Sequence, residues 1–500
     1  MSIREVMDEA EVAGPTRSHD APAGASSDPE ATPDLSGAGG SRELIHLAFP
    51  LVVSQGFMTV QVFLDTVLLS WHDPGEMAAS FPAVMWFWQL FGLLQVTAGY
   101  VSTFVAQYTG AGRSERVGPA VWQGIYFSII AGLLILLLYP VVPMIIGIGG
   151  HTAAAQALEV TYLRCLCFAA LPMLIMASVN GFFSGVGRTW TVLVIETAGT
   201  ATNVLLALPL IFGKLGFPEL GIAGAGMATV AGSWMSAIVA LALFLSPGFR
   251  RQYSTLAGWR PERALFGRLM KYGGPAGAQV FLDVLVFNVF VQLVGGLGDA
   301  VMGATTLTSR LNMVAFLPMM GLGQAVSILV GQRLGASRPD LAERTAYTGL
   351  RWTFGYMCIV ASAYVLIPGT LVSLFEGNRD PKEFAEIARI VPSLLACAAV
   401  YSLADALNTV FSFALRGAGD TRFVSLLTFT LAWPIMVIPT YFLVQSKGNI
   451  NWAWGFATAY ILAMAVCFVF RFRSGKWKTM RVIEAAPSAD GEGPPLAPVH

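Results

Sequence analysis

The sequence is poor in charge. Charged side chains make up 12% of its 500 residues, whereas a soluble domain carries about 25%. A protein with so few charges cannot face water over its whole surface. Basic and acidic residues balance at 30 each, so the composition also argues against a nucleic-acid partner.

Motifs for enzyme chemistry are missing as well. The five cysteines lie within predicted helices without the spacing of a metal site or a redox pair, and the five histidines are scattered. We find no phosphate-binding loop and no nucleophile motif. The sequence therefore favours a protein that is not an enzyme and that needs no cofactor.

The N-terminus lacks the apolar core of a signal peptide. Residues 1–41 and the tail 476–500 have little apolar content, which is typical of segments that do not fold. We expect both to be disordered cytoplasmic extensions, and we expect the first apolar segment to act as an uncleaved targeting signal.

Long apolar segments are what the chain does have. About 20 residues are enough to cross a bilayer, and turns rich in Gly, Pro and charge separate twelve such segments. The pattern predicts an all-α membrane protein of twelve transmembrane helices. Predicted helices 1 to 12 span residues 43–71, 79–107, 118–147, 161–185, 190–213, 222–246, 270–296, 301–332, 347–375, 386–415, 422–444 and 452–472.

The basic residues indicate an orientation. If both termini lie in the cytoplasm, 23 Lys and Arg residues fall in inside segments and 5 in outside loops. Such an excess is typical of cytoplasmic loops. We expect a monomeric, multi-pass protein of the bacterial inner (plasma) membrane, surrounded by the lipid bilayer, with both termini in the cytoplasm.

The chain contains an internal repeat. STFVAQYTGAGR (102–113) matches SILVGQRLGASR (327–338) at an offset of 225, and Pro50 matches Pro275 at the same offset. Two six-helix units of this kind are typical of secondary transporters. The repeat predicts two pseudo-symmetric lobes with a substrate cavity between them, formed mainly by helices 1, 2, 7 and 8.

The limits of the repeat define the predicted domains. A second matching pair, NGFFSGVGRT (180–189) and NTVFSFALRGAGDT (408–421), lies late in each half. We predict an N-lobe at 42–246, a cytoplasmic inter-lobe linker at 247–269 and a C-lobe at 270–475.

These motifs resemble those of the multidrug and toxin extrusion (MATE) family. The resemblance rests on LDT in helix 1, on QYTGAG after helix 2 with its counterpart QRLGAS in helix 8, and on LRGAGDT after helix 10. It covers about residues 42–475. It implies a V-shaped fold of two six-helix lobes and the export of mostly cationic, amphipathic small molecules in exchange for H⁺ or Na⁺.

Three acids place the chain near the NorM-type branch of that family. They are Asp65 in LDT, Asp283 in helix 7 and Asp405 in helix 10. The branch usually carries Glu where this chain has Asp283, and the side chain here is therefore one methylene shorter.

Carboxylates within membrane segments also indicate function without any family argument. Each costs about 2.5–3.5 kcal/mol to insert on translocon scales, so intramembrane acids tend to face a cavity. Asp65, Glu196, Asp283 and Asp405 are of this kind. The alternative is that they only join helices through hydrogen bonds.

Neighbouring polar residues extend the candidate ion site. Tyr401, Asp405 and Asn408 share one helical face, and the sequence places no Lys or Arg on that stripe. We predict ion coupling at Asp65, Asp283, Asp405, Tyr401 and Asn408. Asp283 and Asp405 suit a shared Na⁺, and buried carboxylates equally suit a proton; the sequence leaves the choice of ion open.

Other side chains are candidates for the substrate cavity. Some are polar neighbours of the acids, and others are aromatic or flexible apolar groups that suit flat cations. Trp86 fits an interfacial aromatic belt equally well, and Arg310 is a candidate charge partner for the C-lobe acids. The cavity candidates are Gln61, Gln279, Glu196, Asn203, Met58, Trp86 and Met313.

Two functions remain open. The leading hypothesis is an ion-coupled multidrug antiporter whose lobes rock about a central cavity. The alternative is a lipid-linked saccharide flippase of the same superfamily. A flippase that handles a pyrophosphate needs a cationic cavity, and the four intramembrane acids favour the antiporter.

Overall fold

A computed structural model of the chain describes residues 40–147, 149, 151–373, 381–446 and 448–485, without the side chains of Met58, Asp299 and 381–383. Over these residues the fold is helical and contains no strand. Its long helices, numbered in chain order, are α1 (Ser41–His72), α2 (Pro74–Gly99 continued by Val101–Gly110), α3 (Val117–Leu137), α4 (Ala153–Gly185), α5 (Thr189–Phe212), α6 (Ile222–Phe244), α7 (Arg263–Gly295), α8 (Asp299–Gly335), α9 (Pro339–Leu366), α10 (Pro381–Ala418), α11 (Thr421–Gln445) and α12 (Ile450–Arg473).

The twelve predicted helices are therefore all present among the described residues. Eleven of them are long and apolar enough to cross a membrane. The exception by composition is α9, whose 28 residues begin with the charged stretch Asp340, Glu343 and Arg344. The apolar part of α9 follows this charged stretch, so the number of helices agrees with the number predicted from the sequence.

Prolines explain where the helix ends differ from the prediction. The predicted helix 118–147 ends at Leu137, because Pro140 and Pro143 follow it, and a separate short helix covers Val142–Gly147. The predicted helix 347–375 instead covers Pro339–Leu366, and Pro368 starts a new short helix. Pro434 lies in a five-residue π-helical turn inside α11, where its missing N–H leaves the regular ladder broken.

Close helix packing joins the first half (α1–α6) to the second half (α7–α12). The main contacts are α1 against α8 and α2 against α7 and α8. A Cβ at Gly277 of α7 would meet the backbone oxygen of Leu93 at 2.2 Å, and a Cβ at Gly321 of α8 would meet the Cα of Val52 at 3.0 Å. Small residues let these helices approach closely, as is usual in membranes.

The repeated GAGR and GASR motifs cross at one end of the bundle. A Cβ at Gly110 would lie 1.9 Å from the backbone oxygen of Gln332, and a Cβ at Gly335 would lie 2.1 Å from that of Gln107. Gln107 donates a hydrogen bond to the Gly417 carbonyl at 3.0 Å, and Gln332 donates one to the Gly185 carbonyl at 2.8 Å. We call this end the arginine-rich end, because the predicted inside loops lie there, and the two halves are closed against each other at it.

The predicted linker contains short helices, and the predicted tail is more ordered than expected. Residues 247–269 contain a helix at Pro247–Tyr253 and a 3₁₀ turn at Ala257–Trp259, and α7 begins at Arg263. Residues 476–485 are folded as well, which corrects the prediction of a disordered tail from 476 onward. The physical reason is Trp477, which is fully buried. Residues 1–39 and 486–500 lie outside the described part of the chain.

Candidate functional site

Asp283 and Asp405 come together in the second half. The side chain of Asp283 on α7 is accessible to solvent. The carboxyl of Asp405 on α10 lies within electrostatic range of Asp283. The arrangement places one carboxylate from α7 and one from α10 within electrostatic range of each other. A cation shared between them stays a prediction.

Tyr401 and Asn408 flank Asp405 along α10. The amide of Asn408 lies beside the Asp405 carboxyl and also donates to the Ile461 carbonyl of α12 at 3.1 Å. Among the described residues, the Asn408 Oδ1 has no hydrogen-bond partner. The Tyr401 ring stacks on Trp454 with centroids 6.3 Å apart. Both contacts hold the polar face of α10 against α12, and one buried amide oxygen is left without a hydrogen-bond partner in the described region.

Arg416 is a residue of this site that the sequence analysis assigned to a loop. Its Nε donates to the Gln279 Oε1 at 3.2 Å, and its guanidinium lies within electrostatic range of Asp283. Tyr100 of the first half donates to the Arg416 carbonyl at 2.7 Å. The sequence predicted no Lys or Arg on the polar stripe of α10, and Arg416 corrects this.

A sequence signal for Arg416 does exist. Tyr401, Asp405, Asn408 and Ser412 recur at spacings of four, three and four, and Arg416 follows at a further spacing of four. Residues so spaced lie on one face of a helix. Ending the predicted helix at 415, three residues early, placed this arginine outside it.

Asp65 occupies a separate environment in the first half. It is buried on α1, beside Asn203 of α5 and near Tyr162 of α4. Asn203 donates to the Thr229 hydroxyl of α6 at 3.3 Å. One carboxylate oxygen of Asp65 and the Asn203 Oδ1 have no partner in the described region. Its neighbours Asn203 and Tyr162 carry an amide and a hydroxyl, and both belong to the first half.

Glu196 of α5 and Gln61 of α1 extend the polar surroundings of Asp65. Glu196 accepts a hydrogen bond from Asn180 of α4 at 2.9 Å. Thr200, one turn further along α5, donates to Gln61 of α1 at 3.5 Å. Glu196, Thr200 and Asn203 recur at spacings of four and three, so one helix face carries a continuous polar track from Asp65 toward the arginine-rich end.

The remaining predicted cavity residues are not brought into these clusters. The side chain of Met58 lies outside the described residues. Trp86 is 39% exposed and Met313 is 64% exposed, and no described hydrogen bond or ring contact joins either to an acid. Arg310 is exposed on α8, and Arg416 rather than Arg310 lies beside Asp283.

The site offers few protein ligands for a metal. No group of three or more His, Cys, Asp or Glu residues with metal-binding geometry occurs in the described ranges. Asp283 and Asp405 are two carboxylates, so a cation held there takes its other oxygen ligands from amides, hydroxyls or water. That ligand set suits a hard, weakly held monovalent cation or a proton more than a tightly bound structural metal.

An apolar groove on the surface of α9, α10 and α12 does not belong to the site. It is lined by residues such as Leu403, Leu407 and Val466, and it contains no acid. A groove of this composition on the outside of a membrane protein suits lipid chains.

Comparison with known proteins gives the family. The MatE profile matches residues 50–208 and 275–442, once in each half. The probable multidrug resistance protein NorM of Shewanella oneidensis is 27% identical over 447 residues, which cover 87% of this chain and 94% of that protein. The multidrug resistance protein NorM of Aliivibrio fischeri is 29% identical over 82% of this chain and 87% of its own length.

Solved structures agree on the fold. An outward-facing multidrug resistance MATE family transporter of the MOP superfamily superposes with a TM-score of 0.80 at 20% identity, covering 89% of this chain and 98% of that one. A MOP superfamily transporter from Pyrococcus furiosus superposes with a TM-score of 0.79 at 19% identity and the same coverage. This likeness and the two profile matches identify the chain as a multi-pass membrane transporter, not an enzyme, and as a member of the MatE family.

Proposed function

We propose that this protein is a secondary active antiporter that exports small, cationic and amphipathic compounds in exchange for H⁺ or Na⁺. The arginine-rich end then faces the cytoplasm of a bacterial cell, the protein lies in the inner membrane, and both termini are cytoplasmic. The relatives named as multidrug resistance proteins support the substrate class. The excess of basic residues in the loops of that end supports the orientation.

The pair Asp283 and Asp405 is the observation that carries the proposal. Two carboxylates on α7 and α10 lie within electrostatic range of each other, and the Asp283 side chain is accessible to solvent. An acid in a membrane segment is costly, and two close together repel each other as well. A proton or Na⁺ that binds between them relieves the repulsion, so binding of one monovalent cation is favourable at this site.

Arg416 gives the same site a means of release. Its guanidinium is tethered to Gln279, one turn from Asp283. A fixed positive charge at this distance lowers the affinity for a second cation. Arg416 therefore keeps the coupling ion from binding too tightly to be exchanged, and it supplies a counter-charge when the acids are empty.

Transport follows from rocking of the halves. The N-lobe at 42–246 and the C-lobe at 270–475 separate at α1, α2, α7 and α8, whose close packing closes the arginine-rich end in this structure. Each inward elementary charge contributes about 2.3 kcal/mol per 100 mV of membrane potential. That is sufficient for a substrate gradient of roughly forty- to fiftyfold.

The first-half acid has a different task. Asp65 lies beside Asn203 with an unpaired carboxylate oxygen, and no basic residue is among its recorded neighbours. A negative carboxylate without a counter-charge attracts an organic cation, and protonation of the acid releases it. We assign substrate binding and release to Asp65 and ion coupling to the second half.

The flippase alternative lacks support in the site. A lipid-linked pyrophosphate carries several negative charges and requires a cluster of cationic side chains. Arg416 is accompanied by two acids, and Asp65 lies among amides and hydroxyls. Both clusters therefore favour cations.

The experiment that tests the proposal uses purified protein in proteoliposomes. A fluorescent organic cation is loaded on the side from which it is exported, and an inward proton gradient, an inward sodium gradient or neither is imposed. We expect one of the two gradients to accelerate efflux at least tenfold. Equal rates under all three conditions would contradict antiport, and movement of a lipid-linked saccharide instead would favour the flippase.

A further inference from the structure

The segment that follows α12 returns to the closed arginine-rich end. The chain turns at Gly475, and Trp477 packs against Phe472 with ring centroids 4.7 Å apart. The Trp477 Nε1 donates to the Phe472 carbonyl at 2.8 Å. Lys478 pairs with Glu343 of α9 at 2.6 Å. The start of the segment is therefore fixed to the second half.

Most contacts at the end of the segment are with the first half. The Val482 amide donates to the Gln107 Oε1 of α2 at 2.9 Å, and Val482 is 1% exposed. The Glu484 carboxylate accepts hydrogen bonds from Tyr108 at 2.6 Å and from Arg113 at 2.7 Å. Arg113 also donates to the Glu484 carbonyl at 3.0 Å.

Two further arginines complete the binding site for Glu484. Arg116, which follows α2, donates to its carboxylate at 3.2 Å, and Arg268 of α7 does so at 3.2 Å. Arg116 is itself paired with Glu262 at 2.9 Å. Three guanidinium groups and one phenol thus converge on a single carboxylate that comes from the far end of the chain.

The charge of Glu484 is maintained by these partners. Burial alone would raise the pKa of its carboxyl group, but the hydrogen bond from Tyr108 and the charges of Arg113 and Arg116 outweigh burial and hold the pKa below its ordinary value. Glu484 is consequently ionised at neutral pH. Its pairing with the arginines is a charge-assisted interaction, which is stronger than one between neutral groups.

We propose that residues 480–485 form a latch that holds the arginine-rich end closed. The segment is attached to the second half through Trp477 and to the first half through Gln107, Tyr108 and Arg113, so it crosses the surface along which the halves must part. Opening of this end moves α2 away from α12 and separates Glu484 from Tyr108, Arg113 and Arg116 of the first half. The role in a transport cycle depends on the proposed rocking mechanism, whereas the effect on the closed state does not.

A matched ion pair in the same segment isolates the inter-half contact. Lys478 and Glu343 both belong to the second half, so their pairing does not oppose separation. Glu343→Gln therefore removes a contact of the tail but keeps the contacts of Glu484 with the first half. Glu484→Gln removes the carboxylate that makes those contacts. A chain that ends at Arg481 keeps Trp477 and removes both Val482 and Glu484.

The test measures the distance between the halves without an ion gradient. Spin labels are placed at Arg250 and Arg344, which are exposed at the arginine-rich end on the first and second halves, in full-length protein whose native cysteines are replaced. Double electron–electron resonance then gives the ratio of open to closed molecules. We expect Glu484→Gln to raise this ratio about fivefold, the truncation to raise it further, and Glu343→Gln to change it by less than about twofold.

Two results would overturn the latch. One is an unchanged ratio in both Glu484→Gln and the truncated chain. The other is an equal shift in Glu343→Gln, which would show that general order of the tail is responsible. Because the distances are recorded without a gradient, a failure of ion coupling in proteoliposomes leaves this test intact.

Discussion

The two halves of the molecule share a scaffold and differ in their chemistry. Gly185 and Gly417 accept equivalent hydrogen bonds from Gln332 and Gln107, so the two ends of α4 and α10 correspond. Ser184, which precedes Gly185, therefore corresponds to Arg416. At the offset of 225, Asp283 corresponds to Met58, and Asp65 corresponds to Phe290.

Equivalent asparagines show the same divergence. Asn180 and Asn408 begin the second matching pair of motifs. In the first half Asn180 binds Glu196 of α5, and in the second half Asn408 lies beside Asp405 of its own helix. The duplicated residues are those that pack helices at the arginine-rich end, whereas the acids and Arg416 are not duplicated. Packing symmetry permits the halves to rock, and chemical asymmetry allows them to bind different cations.

The largest expected effect concerns the second-half acids. Asp405→Asn and Asp283→Asn each retain shape and hydrogen bonding but remove the charge, so we expect gradient-driven efflux to fall at least a hundredfold, to background. Ser412→Ala on the same face of α10 is the control and should transport normally. Efflux of a fluorescent cation from proteoliposomes, together with size-exclusion profiles, measures this. Wild-type rates in both acid variants would falsify the ion site and return these acids to a purely structural role.

The next effect tests the shared scaffold. Gly335→Ala places a methyl group about where the Gln107 carbonyl lies, since an added Cβ would be 2.1 Å from that oxygen. Overpacking of this kind costs about 1–3 kcal/mol, and here the halves must separate to relieve it. We expect at least tenfold slower transport and faster labelling of a cysteine at Ala106, which is fully buried in wild type. Gly274→Ala, with nothing within 4 Å, should behave as wild type, and equal effects of the two would disprove the close-contact explanation.

Asp65→Asn sharpens the contrast between the halves. If Asp65 binds the exported cation, the uncharged side chain of Asp65→Asn should lower the export rate about tenfold. Ion binding in the second half should stay unchanged. Substrate affinity is measured by fluorescence anisotropy, and ion binding by the ion dependence of tryptophan fluorescence. A loss of ion dependence in Asp65→Asn would mean that the halves do not divide the two tasks.

Arg416 provides a graded test of the second-half site. Removing its charge in Arg416→Gln should strengthen binding of the coupling cation, so that the half-saturating ion concentration falls roughly three- to tenfold. Arg416→Lys keeps the charge and should remain close to wild type. The measurement is the ion concentration dependence of efflux. A fall in maximal rate with an unchanged ion dependence in Arg416→Gln would assign Arg416 to packing against Gln279 alone.

The smallest effect is the pH dependence of the Glu484 cluster. The folded protein holds the pKa of Glu484 below its ordinary value, so its contribution to stability is present above the unfolded pKa and is lost as the pH falls through the folded pKa. The side chain is 30% exposed, and we expect no more than about 1 kcal/mol. Thermal unfolding of wild type and Glu484→Gln from pH 8 to pH 4 measures it. The difference in stability between the two proteins should be constant near neutral pH and become smaller in acid. A difference that grows in acid would contradict a lowered pKa of Glu484 in the folded protein.

The sequence by itself determined the helix count and the duplication, and it placed the acids within apolar segments. These properties follow from local composition, because a bilayer requires about 20 apolar residues per crossing and penalises each charge within it. The stripe Tyr401, Asp405 and Asn408 could be read directly from helical spacing. The helix ends were predicted less accurately. They are set by prolines such as Pro368 and by helix caps, which act over only a few residues, whereas hydropathy is averaged over a whole segment.

Only the tertiary structure decided which groups meet. Gln279 and Arg416 are 137 residues apart, and Glu484 is 371 residues from Arg113. No local pattern encodes such pairs, because they depend on where α7 and α10 lie in the folded bundle and on where the chain returns after α12. The composition of the tail predicted disorder, yet one buried tryptophan and a carboxylate facing three arginines order residues 476–485. Long-range charge pairing of this kind stabilises a segment that its own sequence could not fold.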